Sequence, residues 1–63
     1  MKLAIHFSDR AHTIIENVTT YWQTAEYWHV RTIFGNCPEE RMYAKKNVIA
    51  VFEVINDERR RII

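Results

Sequence analysis

Glycine, proline, cysteine and serine occur once each in this chain of 63 residues, as Gly35, Pro38, Cys37 and Ser8. Each scarcity excludes something. A phosphate-cradling loop needs several glycines, and the lone serine lies in no G-x-S-x-G elbow. One cysteine forbids an intrachain disulfide, and without a secretion signal it points to a reducing compartment. The opening Met1–Ser8 stretch is basic then apolar. His6 interrupts it, leaving too little for the apolar core of a signal peptide. No apolar run approaches the ~20 residues of a membrane-spanning helix, so a cytoplasmic location with no membrane partner is expected. Nine Lys and Arg against eight Asp and Glu give a net charge of +1. That balance supplies no bulk attraction to nucleic acid or to an anionic surface.

What the chain does hold is apolar and aromatic. Apolar residues make up 48%, ordinary for one small globular domain and too many for a disordered segment. Leu3, Ile5 and Phe7 alternate with Lys2, Ala4, His6 and Ser8, which reads as a strand with one buried face. Ser8-Asp9-Arg10 reads as a turn. The run from Ala11 to Val18 is rich in Thr13, Ile14, Ile15 and Val18, whose branched side chains favour a strand over the rival helix capped by Ser8. Taken as a three-residue loop, the turn sets His6 opposite His12, Ala4 opposite Ile14 and Lys2 opposite Glu16 on one side. Leu3 and Ile15 then meet on the other, with Ile5 opposite Thr13. Such a loop ends in a left-handed residue, here Arg10.

Thr19–Thr24 reads as a third strand. Tyr27–Phe34 follows, with Trp28, Val30, Thr32 and Phe34 on one face and Tyr27, His29, Arg31 and Ile33 on the other. Gly35–Pro38 breaks it. Residues 39–44 read as a short strand or one helical turn. Val48–Ile55, apolar on both faces, reads as a covered strand. The expected fold is therefore all-β, a small antiparallel meander of about five strands over residues 1–56, curled into a half-barrel or small barrel. Residues 57–63 form a charged tail, frayed or helical. This strand rhythm resembles that of short meander proteins encoded on phages and other mobile elements. The likeness implies an accessory or regulatory protein and assigns no residue a role.

Catalytic chemistry has no visible seat. His6, His12, His29 and Cys37 lack the close paired spacing of zinc ligands. Nothing places a base beside Cys37. Glu39 and Glu40 are adjacent, so on a strand they point to opposite faces. No catalytic residue, metal or other cofactor is expected. Two binding readings remain. Tyr21-Trp22 and Tyr27-Trp28 flank one turn, and each pair sends one ring to either sheet face. The rings outside the core would suit a protein partner or a second copy in a homodimer. The alternative is a small nucleic-acid-binding barrel, in which aromatic stacking is joined by Arg41, Lys45, Lys46, Arg59, Arg60 and Arg61. Those arginines stand beside Asp57 and Glu58, as in a solvated tail.

Overall fold

A computed structural model describes residues 1–63. Seven strands form two antiparallel sheets. The strands are β1 (Lys2–Phe7), β2 (His12–Ile15), β3 (Val18–Gln23), β4 (Tyr27–Phe34), β5 (Cys37–Ala44), β6 (Val48–Ile55) and β7 (Glu58–Arg61). One sheet runs β2-β1-β6-β7 and the other β3-β4-β5. A single 3-10 turn, Lys45–Asn47, carries the chain from β5 to β6. No helix is long and apolar enough to cross a membrane.

The first hairpin has the expected register. Leu3 pairs with Ile15, Ala4 with Ile14, Ile5 with Thr13 and His6 with His12. Lys2 Nζ lies 3.4 Å from Glu16 Oε1. The loop closes as a three-residue turn. Phe7 N–H donates to Ala11 C=O at 2.9 Å, and Arg10 N–H donates to Phe7 C=O at 3.0 Å. Asp9 Oδ1 accepts from Ala11 N–H at 2.9 Å. Arg10 is left-handed, with φ 72°. No helix forms over residues 9–20.

Three expectations are corrected. The strands do not form a simple meander, because β1 lies between β2 and β6 and the chain divides into two facing sheets. β6 takes an interior position, paired with β1 on one edge and β7 on the other. The run from Ala11 to Val18 is likewise split. Asn17, left-handed at φ 57°, turns the chain out of one sheet and into the other. Second, no barrel closes. The two sheets join at a corner where Val18 N–H donates to Met1 C=O at 2.9 Å and the Met1 ammonium donates to Val18 C=O at 3.2 Å. Third, there is no frayed or helical tail. Asn56 and Asp57 both have positive φ, 52° and 65°, which is the geometry of a two-residue type I′ hairpin. Beyond it Glu58–Arg61 pairs with β6 as β7. Ile62 N–H then donates to Val51 C=O at 2.8 Å, and its side chain packs on the core.

The core lies between the sheets. Leu3, Ile5, Ile15 and Val51 meet Val18, Trp28 and Val30. Phe7 is half-buried beside them and its ring lies 5.7 Å from Tyr43. On β1, Lys2 is exposed, but Ala4 is buried and His6 half-buried. An interior strand is shielded on its outer face by neighbours, and here Phe52 sets its ring 5.4 Å from that of His6, edge-on. Residues 37–44 are strand throughout, resolving the choice between strand and helical turn. Gly35, at φ 61°, is the only left-handed residue in the β4–β5 loop, as a type II′ turn requires at its first central position.

Candidate interaction surface

The β3–β4 register places Trp22 opposite His29 and Gln23 opposite Trp28, with Tyr21 opposite Val30. Strand alternation then divides the four aromatic candidates into two pairs. Trp28 is 1% exposed and belongs to the core. Tyr21 is half-buried, its ring 6.2 Å from that of Trp28. Its hydroxyl donates to the Glu53 carboxylate of the opposite sheet. That hydrogen bond, burial and the Glu53 charge together raise the Tyr21 pKa above its ordinary 10.0, while Arg60 opposes the rise. Trp22 and Tyr27 instead point away from the core, Tyr27 being 38% exposed.

On this outer face Trp22 is one member of a connected cluster. Its ring stacks on His29, with centroids 5.0 Å apart and planes 6° from parallel. Arg31 sets its guanidinium carbon 5.3 Å from the Trp22 centroid, a cation–π arrangement. Tyr27 meets His29 edge-on at 6.4 Å. Glu40, on β5, ties the group together. His29 Nδ1 donates to its Oε1 and Arg31 Nη2 to its Oε2, each at 3.4 Å. His29 Nε2 lies 3.1 Å from Thr24 Oγ1. The cluster thus fixes flat rings and a balanced ion pair on a sheet face. Beside it, Met42 is 54% and Ile33 42% exposed.

The rest of this surface follows from register. His29 pairs with Met42 and Arg31 with Glu40. His29 and Arg31 share the face of Tyr27 by alternation along β4. Glu40 and Met42 become visible only once the two-residue loop after Phe34 fixes the β4–β5 pairing.

The basic candidates occupy separate places. Arg41 lies on the core-facing side of β5 yet is exposed. Lys45 Nζ donates to Thr24 C=O at 3.3 Å, and Lys46 is exposed on the same 3-10 turn. A shallow recess of about 310 Å³ separates these lysines from Glu26 and Tyr27. Arg59, Arg60 and Arg61 belong to the other sheet, where alternation sends Arg60 to the opposite face from its neighbours. Arg61 covers Phe52, 5.8 Å from its centroid, and its Nε donates to Ile63 C=O at 2.6 Å.

His6 and His12 stack at 5.7 Å on the outer face of the four-stranded sheet, while His29 lies on the other sheet and Cys37 is exposed at the start of β5. No three His, Cys, Asp or Glu side chains converge on a point where they could hold a metal ion. The largest recess, about 590 Å³, lies between the Lys2–Glu16 ion pair and the β6–β7 turn. Compared with protein-family models, with curated proteins and with solved structures, the chain matches none.

Proposed function

We propose that this chain is a small non-enzymatic protein-interaction module that associates with itself and offers the outer face of its three-stranded sheet to a protein partner. The observation that supports this reading is the outer-face array of half-buried Trp22 and His29 with exposed Tyr27, held flat by Arg31 and Glu40 and extended by exposed Met42 and Ile33. Trp, Tyr, Met and Arg are the residues enriched where proteins meet, because they bury area at low entropic cost. The cluster is already ordered, so little freedom is lost on binding.

The alternative is nucleic-acid binding with Trp22 as a stacking platform and the Arg31 guanidinium beside it. It has less support, because the six basic candidates line no common groove. Salt separates the two readings. Sedimentation at micromolar concentration should give a dimer at both low and high salt, with no binding of a single-stranded oligonucleotide. A chain that stays monomeric, or one that binds the oligonucleotide with an affinity collapsing as salt rises, would overturn the proposal.

A further inference from the structure

The four sheet edges are unequal. β2 and β7 are four residues long. β3 is broken by a bulge between Val18 and Thr20 and is anchored to Met1 at its start. β5 alone is long and regular, with eight residues in unbroken register with β4. From Cys37 to Met42 both of its faces are exposed. An edge of this kind is a template for another strand.

The orientation of its backbone can be worked out. Lys45 N–H donates to Glu26 C=O at 2.8 Å, one step beyond the Tyr27–Ala44 pair. Hydrogen-bonded and non-bonded pairs alternate in an antiparallel ladder. Tyr43, Arg41, Glu39 and Cys37 therefore bond to β4, while Ala44, Met42, Glu40 and Pro38 direct their backbone groups outward. Pro38 has no N–H to offer, so it blocks the loop end of the edge. The outward backbone groups of Glu40, Met42 and Ala44 are left without a strand partner, and at the Ala44 end they look into a recess of about 410 Å³ bordered by Phe7, Ser8 and Asp9.

We propose that a second copy of this chain fills that edge, β5 against β5, antiparallel about a two-fold axis at Met42. The inference rests on the reading of the chain as self-associating and names the strand responsible. Charge and donor matching select the register. A two-fold centred on Glu40 sets Pro38 against Met42, wasting a donor, and two carboxylates side by side. A two-fold centred on Arg41 brings two guanidinium groups together in the close non-hydrogen-bonded pairing, which repels. Centred on Met42, each Arg41 faces Tyr43 and Glu40 faces the small Ala44, so no like charges are opposed, and Lys45, in the 3-10 turn with its Nζ on Thr24 C=O, lies beyond the paired segment. About six backbone hydrogen bonds form across the axis. The row Trp22–His29–Met42 on one copy then continues as Met42–His29–Trp22 on the other. The two outer faces become one surface of a six-stranded sheet.

Cross-linking tests the register and sedimentation tests the edge. In a Cys37→Ser background, Met42→Cys should form an intermolecular disulfide on oxidation, since paired Cα atoms about 5.5 Å apart admit one. Arg41→Cys should not. Met42→Pro removes an outward N–H only and should give a monomer with an unchanged circular dichroism spectrum. Should that variant lose its fold, Met42→Lys serves instead, because Met42 is 54% exposed and meets its own copy on the axis. It should weaken the dimer at least tenfold, and mixing it with Met42→Glu should restore association as a heterodimer. Cross-linking through residue 41 but not 42 would overturn the Met42-centred register, and dimers untouched by these substitutions would overturn the β5 assignment and leave self-association standing. A wild-type chain monomeric at every concentration would overturn both.

Discussion

Thr32 is fully buried, yet its hydroxyl has no hydrogen-bond partner. A buried hydroxyl without a partner costs about 1–3 kcal/mol. Valine keeps the branched shape that suits a strand and removes the stranded group. Thr32→Val should therefore stabilise the domain by about 1 kcal/mol, raising the thermal midpoint by about 4–8 °C in a chain of this size. A lower midpoint would show the hydroxyl to be satisfied. Tyr21 makes the opposite case, a polar group whose partner is provided across the core by Glu53. Its pKa is raised, first by that hydrogen bond, then by burial and by the Glu53 charge. The folded state thus holds the phenolic proton more tightly than the unfolded chain does. The resulting stability is fully present below the unfolded value near 10.0 and is lost as pH rises through the higher folded value. Denaturant unfolding across the alkaline range should show a steeper loss for the wild type than for Tyr21→Phe. Equal slopes would place the Tyr21 proton outside the folding equilibrium.

At the scale of elements, the two hairpins of the four-stranded sheet show why some strands are legible and others are not. The β1–β2 hairpin announces itself through alternation in Leu3–Phe7 and through an apolar and charge match that only one loop length satisfies. The β6–β7 hairpin has no such signal. All four residues of Glu58–Arg61 are exposed, so no apolar period marks the strand, and an arginine run beside Asp57 resembles a solvated tail. Its turn, Asn56-Asp57, has a residue tolerant of left-handed geometry at each position but lacks the glycine that usually signals it. Arg10 and Asp57 both occupy that left-handed region, at φ 72° and 65°. The strain is about 1–2 kcal/mol for an ordinary side chain, and smaller for Asp, whose short polar group can bond locally. Arg10→Gly should raise stability by about 1 kcal/mol in urea titrations, and Asp57→Gly by less. A reversed order would put the loop strain elsewhere.

At the scale of the molecule, the division into two sheets is the feature least visible in the sequence. It depends on Asn17 turning the chain after a four-residue strand and on β6 reaching back to β1, a pairing of residues far apart in the chain. Local pattern carries no record of such a pairing. The candidate surface was partly legible. Alternation in Tyr27–Phe34 separates Tyr27, His29, Arg31 and Ile33 from Trp28, Val30, Thr32 and Phe34, and the structure buries Trp28, Val30 and Thr32 but leaves Phe34, beside the turn, 44% exposed. It also sets Tyr21 against Trp28 on the core face and Trp22 against His29 on the outer face with Tyr27, Tyr21 and Trp22 both being half-buried. Glu40 and Met42 escape a reading of single strands, because their membership depends on cross-strand register. That register is also the basis for pairing two copies along β5, and amide hydrogen exchange measured against protein concentration tests the pairing most directly. The amides of Glu39 and Arg41 bond to β4 and should be protected at every concentration. Those of Glu40 and Met42 point outward and should exchange freely in dilute solution, then become protected in step with dimer formation. Free exchange at Glu40 and Met42 in a solution where the chain is fully dimeric would contradict the account.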